Sequence, residues 1–169
     1  MARSGLKKSL IDKCMETYID IINSFDPNLV PEDRRKWLVA PLDDYNRNYF
    51  FFKELNLSGF KRVLEIGTGC GLLASFLKKH GHDVTCLDRP DDFYKVCRTK
   101  LGIEDMVQYQ PVEPMKPLEV EGEFDVICGV SLWFLTQFTE DEVDFFYKDC
   151  QNRLRPDGKV EFFLSRRLF

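Results

Sequence analysis

The stretch Val63–Gly71, Val-Leu-Glu-Ile-Gly-Thr-Gly-Cys-Gly, limits what this chain can fold into more than any other. Val63, Leu64 and Ile66 read as a buried strand. Gly67, Gly69 and Gly71 follow at alternate positions, and Leu72, Leu73, Phe76 and Leu77 then repeat at helical spacing. A strand that runs through glycines into a helix brings the backbone close to a ligand, because no side chain stands in the way. The alternation continues to the end of the chain. Strands are expected at Arg62–Ile66, Asp83–Leu87, about Met106–Gln110, Phe124–Val130 and Lys159–Leu164. Between them lie helical patterns from Gly71 to Lys79 and from Asp91 to Leu101, the second with Phe93, Val96, Cys97 and Leu101 as its apolar residues. Thr139-Glu140-Asp141-Glu142 has the spacing of a capping box and opens a last helix carrying Val143, Phe146, Cys150 and Leu154 on one face. Arg155-Pro156-Asp157-Gly158 reads as a turn. Strands alternating with helices predict an α/β fold with a mainly parallel sheet and helices on both faces.

About 60 residues of helical pattern come first. Leu6, Leu10, Cys14, Tyr18, Ile21 or Ile22, and Phe25 share one face, and Asp26-Pro27-Asn28 ends the pattern. A short helix is expected from Pro31 to about Val39 and a third from Leu42 to Leu55. The organisation is therefore a helical extension or lid over 1–60 and a ligand-binding unit over 61–169, in one compact domain of 169 residues. Arg34, Arg35, Trp37, Asp43, Asp44, Tyr45 and Arg47 cluster in the extension, either as a solvated helix face or as substrate contacts.

The formal net charge of −4 argues against a broad basic face for nucleic acid. The six cysteines include no Cys-x-x-Cys pair, so zinc and dithiol redox readings lack their spacing and no metal site is expected. Most sit in apolar patterns, as buried reduced thiols do, which points to the cytoplasm. No run approaches the roughly 20 apolar residues of a membrane span.

Two familiar nucleotide loops do not fit. A Walker loop needs a lysine after its last glycine, and a dinucleotide fingerprint needs a third glycine at position 72, which is Leu72. The observed order, Glu65-x-Gly67-x-Gly69-x-Gly71, resembles motif I of the class I S-adenosylmethionine-dependent methyltransferases. Phe124-Asp125-Val126-Ile127 and Leu154-Arg155-Pro156-Asp157-Gly158 resemble later segments of the same family, in the same order. The resemblance implies a Rossmann-like doubly wound fold of about five strands, shortened from the family's seven, with S-adenosylmethionine as cofactor and S-adenosylhomocysteine as product. It implies that Glu65, Gly67, Thr68, Gly69 and Gly71 line the cofactor, with Val130 at the end of the fourth strand. It also makes Asp88, the acid ending the second strand, the ligand of both ribose hydroxyls; the alternative is a solvated aspartate capping the next helix. Glu113 falls where the family's adenine-side acid sits, or is a loop glutamate in water.

Methyl transfer from a sulfonium leaves the protein mainly to align the acceptor and exclude water, so no catalytic residue stands out. Acceptor motifs for DNA bases are missing after the fourth strand, where Ser131, Trp133 and Phe134 stand instead. Trp133 either walls the methyl site or packs under the last helix. The expected activity is methyl transfer to a small molecule or a protein side chain; the alternative is a non-catalytic module acting as a cofactor-binding or partner subunit. The edge of the fifth strand is expected to be open or covered by a second copy or a partner chain.

Overall fold

The computed structural model describes residues 2–163, with side chains from residue 12 onward. The side chains of Leu6 and Leu10 and the segment from Leu164 to the end of the chain lie outside what is described.

Three helices precede the sheet. Helix α1 spans Ala2–Asn23. The second expected helix is divided into a 3-10 turn, Glu32–Arg34, and a single turn of α2, Lys36–Val39. Helix α3 spans Pro41–Leu55. Pro41 starts this helix rather than separating two patterns, because its fixed φ suits the first turn and its missing N–H would have no partner there.

The five strands are β1 (Arg62–Ile66), β2 (Asp83–Asp88), β3 (Val107–Tyr109), β4 (Phe124–Val130) and β5 (Leu154–Phe163). They form one sheet in the order β3-β2-β1-β4-β5, and every described pairing is parallel. Helix α4 (Leu72–Lys79) joins β1 to β2, α5 (Asp92–Leu101) joins β2 to β3, and α6 (Glu140–Gln151) joins β4 to β5. The chain winds outward from β1 to β3, then returns across β1 to build β4 and β5. That reversal falls at the carboxyl ends of β1 and β4, the usual place for a ligand in such sheets.

β5 begins earlier than expected. Leu154 already pairs with Phe124 and Lys159 pairs with Val126, so two positions on β4 face a longer stretch of β5. The excess is taken up as a bulge at Pro156-Asp157-Gly158, where Asp157 adopts φ +65°. The expected turn is thus an irregularity within a strand.

Two apolar layers enclose the sheet. One holds Val63, Val84, Cys86, Val126 and Cys128 of the strands with Cys14, Tyr18, Tyr45, Phe76 and Cys97 of helices α1, α3, α4 and α5. The other holds Leu64, Ile66, Leu87 and Ile127 with Phe146 and Cys150 of α6. The capping box at α6 forms as expected, with the Thr139 side chain accepting from the Glu142 N–H and Glu142 accepting from the Thr139 N–H. Among the described residues, no helix is long and apolar enough to cross a membrane.

Candidate functional site

Glu65 ends up almost wholly buried because its strand is central, with Cys86 beside it on β2 and Cys128 on β4. Its Oε2 accepts a hydrogen bond from the Thr68 hydroxyl at 2.7 Å. Burial pushes its pKa up to about 8; the Thr68 bond opposes that rise, the Asp88 charge adds to it, and Arg98 opposes it.

The glycine loop closes on itself. Gly67 N–H donates to the Leu87 carbonyl (2.8 Å), Gly71 N–H to the Thr68 carbonyl (2.9 Å), and Gly69 N–H to Asp88 Oδ2 (2.8 Å). The three glycine N–H groups are therefore already taken, and what the glycines contribute is close approach. Two of the glycines show this in opposite ways. A Cβ on Gly71 would lie 2.3 Å from Ile103 Cδ1 and 3.1 Å from Arg98 Cγ, so this position is closed by packing, at φ +86°. A Cβ on Gly69 would meet nothing within 4 Å, so bare backbone there borders open space.

Asp88, at the end of β2, is not a solvated cap. Asp91 caps α5, accepting from Tyr94 N–H. Asp88 is largely buried: Oδ2 takes the Gly69 N–H and Arg98 Nη1 (3.1 Å), and Oδ1 takes only the Arg89 N–H (2.8 Å). Burial raises its pKa, while the Gly69 N–H and Arg98 work against the rise. Each carboxylate oxygen accepts about two bonds. Oδ2 is full and Oδ1 has room for one more donor, so a diol would share one oxygen rather than span the carboxylate.

Other expected site residues lie further out. Glu113 is about half exposed and bonded to Lys116, and it lines a polar cavity of about 300 Å³ with Gln108–Gln110, Pro111, Pro117 and Glu119. It makes no described bond to Glu65 or Asp88. Val130 is half-buried at the top of β4, paired with Phe163 of β5, and the Ser131 N–H continues that ladder to the Phe163 carbonyl (2.8 Å). Ser131 holds φ +55°, which turns the chain off the sheet. Trp133 is 59% exposed and so is not packed beneath α6.

Three features were not read from the sequence. Arg98 is fully buried, whereas Val96, one of the apolar residues of the α5 pattern, is 41% exposed. The signal was present in the spacing Tyr94, Arg98, Leu101, which puts Arg98 on the inner side of the helix. The charge cluster of the extension is divided: Arg35 and Asp43 are exposed, whereas Arg34, Asp44 and Tyr45 are buried. Arg34 grips Asp91 through Nε (2.9 Å) and Nη2 (2.8 Å) and lies over the Tyr94 ring, while Trp37 donates to the Tyr94 hydroxyl. Asp44 is buried, taking the Tyr18 hydroxyl at 2.6 Å together with Arg47. Tyr18 lies in the same buried cluster as Cys70 of the glycine loop and Cys97 of α5. The extension thus packs directly behind the loop.

A family model described as a methyltransferase domain matches residues 63–158, more than half of the chain. The chain belongs to the class I S-adenosylmethionine-dependent methyltransferase family. Within this family, a ubiquinone biosynthesis O-methyltransferase of Xanthomonas oryzae pv. oryzae is 32% identical over 114 residues, covering 66% of this chain and 44% of that protein. The chain thus spans less than half the length of that methyltransferase. Among solved structures, a methyltransferase from Pyrococcus furiosus superposes with a TM-score of 0.57 at 24% identity, covering 71% of this chain and 63% of that one. The glycopeptide N-methyltransferase MtfA complexed with S-adenosyl-L-methionine gives 0.51 at 20% identity, covering 69% and 52%. At these identities the structural likeness speaks to the fold: a Rossmann-like α/β domain of the methyltransferase type. Among the described residues, no group of three or more His, Cys, Asp or Glu could hold a metal.

Proposed function

We propose that the chain binds S-adenosylmethionine in the crevice between Glu65–Gly71 and Asp88 and directs methyl transfer to a small molecule or a protein side chain. The observation that carries this reading is Asp88: a buried carboxylate at the end of β2, held against the glycine loop, with acceptor capacity left on Oδ1 alone. A ribose hydroxyl is the kind of donor that suits it. The open space over Gly69 fits a ligand lying flat on bare backbone.

In this reading Glu65, steadied by Thr68, receives the cationic amino end of the ligand, and ionises as it does so. Gly69 gives the backbone its close approach, while Gly67 and Gly71 let the loop pack against Leu132 and Ile103. The polar cavity beside Glu113 takes the adenine side, and Val130 with Ser131 borders the far wall. When bound, the cofactor supplies an activated methyl group together with its leaving group. The remaining work of the protein is orientation and exclusion of water, for which the extension behind the loop and the exposed Trp133 beside β4 are placed. An acceptor that must lose a proton needs a base; no described side chain is assigned that role. The six buried free thiols suit a reducing compartment, the cytoplasm. The edge of β5 is where a second copy or a further polypeptide would add.

Calorimetric titration with S-adenosylmethionine, S-adenosylhomocysteine and NAD tests the reading. Binding of the first two and not of NAD supports it. Preference for NAD sinks it. Binding without methylation of any small-molecule or protein pool would favour the non-catalytic module instead.

A further inference from the structure

Arg98 has the largest fully buried side chain of the described residues, and its partners surround the proposed cofactor crevice. Nη1 bonds Asp88 Oδ2 at 3.1 Å and the Gly69 carbonyl at 3.3 Å. Nε bonds Glu104 Oε2 at 2.9 Å, and Nη2 bonds the Tyr109 hydroxyl at 3.3 Å. The Tyr109 hydroxyl in turn donates to Glu104 Oε1. One guanidinium therefore joins the glycine loop, the end of β2, the 3-10 turn at Glu104–Met106, and β3.

A buried arginine needs a reason, because desolvating its charge is costly unless it is paired and hydrogen-bonded. Here two carboxylates face it, Asp88 and Glu104. Glu104 alone would satisfy the charge at the surface end of the helix. The inner end of the guanidinium instead reaches the carbonyl of Gly69 and, on the same nitrogen, the acid whose other partner is the Gly69 N–H. Both polar groups of Gly69 and one oxygen of Asp88 are thus fixed through Arg98, leaving Asp88 Oδ1 as the oxygen turned to other donors.

We propose that Arg98 is a positioning residue for cofactor binding: it locks Gly69 and Asp88 Oδ2 together, which keeps Asp88 ionised in its buried place and presents Oδ1 to a ribose hydroxyl. This rests on the reading of the crevice as an S-adenosylmethionine site. The groups facing Asp88 are the Gly69 N–H and Glu65 from β1 and its loop, the Arg89 N–H and Asp91 from its own segment, and Arg98 from α5. Glu104 and Tyr109 reach it only through Arg98. Loss of the guanidinium removes the only cationic side chain on Asp88 among these and leaves Glu65 and Asp91 opposing its ionisation.

The test is calorimetric titration of the full chain with S-adenosylhomocysteine from pH 5 to 8, for the wild type, Arg98→Met, Arg98→Lys and Tyr109→Phe, with folding checked by circular dichroism. Arg98→Met is expected to bind roughly tenfold or more weakly at neutral pH, the loss expected when a charge-assisted bond goes. Its affinity should also fall away at a higher pH than the wild type. Because Glu65 also feels Arg98, the wild-type and Arg98→Met comparison is repeated in a Glu65→Gln background, where the difference in acid limb reports Asp88. Arg98→Lys should restore the acid side of the profile and part of the affinity, and Tyr109→Phe should weaken binding about twofold to fivefold, as for loss of a neutral hydrogen bond. A merely structural role would lower thermal stability and leave affinity and pH profile of the folded protein unchanged. A folded Arg98→Met with wild-type affinity and acid limb overturns the proposal, as does Arg98→Lys behaving like Arg98→Met in both. If Arg98→Met does not fold, wild-type affinity in both other variants overturns it. A wild type that binds no S-adenosylhomocysteine at any pH overturns the reading of the crevice itself.

Discussion

Two arginines meet the same short segment from opposite sides. Arg98 leaves α5 and pairs with Asp88; Arg34 leaves the extension and pairs with Asp91, three positions later. Both pairs are largely buried, yet they hold different things. The bonds of Arg98 stay within the α/β unit and fix the glycine loop to β2 and β3. The bonds of Arg34 cross from the extension to the rim of that unit. The contacts around Asp88 are therefore made by the sheet and its own helices, and the extension packs behind the loop and is tied to it at Asp91.

Breaking the outer pair should separate the two. Arg34→Ala leaves Asp91 without its buried partner and is expected to lower stability by about 2–3 kcal/mol, somewhat below a fully buried pair. Denaturant unfolding measures that loss, and titration with S-adenosylhomocysteine should show affinity within about threefold of the wild type. An affinity loss matching the stability loss would mean that the extension is part of the binding site.

Asp88→Asn probes the inner side. It keeps the shape and removes the charge, and should cost about 1.5–3 kcal/mol of cofactor affinity, the range for hydrogen bonds to charged groups. Unchanged affinity would return Asp88 to a purely structural role, tying the loop to β2.

Glu65 sharpens the comparison through pH. Its folded pKa of about 8 lies above the ordinary carboxylate value of 4.5, so the folded protein holds a proton that the unfolded chain releases. That contribution to stability is present in full below about 4.5, declines as pH rises through that range, and levels off above about 8. Glu65→Gln should remove this decline and raise the melting temperature of the free protein at pH 8 by a few degrees, on the order of 1 kcal/mol or more. Ligand binding runs the other way. A cationic amino group favours the ionised form, so wild-type affinity should rise from pH 6 to about 8, and in Glu65→Gln it should be weaker and flat.

The smallest effect belongs to the opposite face of the sheet. Thr139→Ala removes the cap of α6 and should cost about 1 kcal/mol of stability. Affinity should not change, since α6 packs on the apolar layer away from Gly69 and Asp88.

What could be read from the sequence was local in the chain. The glycine spacing, the acid ending β2, the alternation of strands and helices, and the capping box each lie within a few residues and follow from backbone requirements. What could not be read depends on partners far along the chain. Helical spacing can place Arg98 on the inner side of α5, but its partners Asp88, Glu104 and Tyr109 come from β2, the 3-10 turn and β3 and are not local to it. Arg34 looks exposed until Asp91, 57 positions away, reaches it. The bulge in β5 escaped because Pro-Asp-Gly has the composition of a turn, and only pairing with β4 on both sides of it shows a strand.

The most direct test of the account is a crystal structure of the chain soaked with S-adenosylhomocysteine. A ribose hydroxyl is expected on Asp88 Oδ1, the amino end beside Glu65 and Thr68, and the ligand lying over Gly69, with Arg98 still bonded to Asp88. Ligand bound away from this crevice, or ribose hydroxyls with no contact to Asp88, would contradict it.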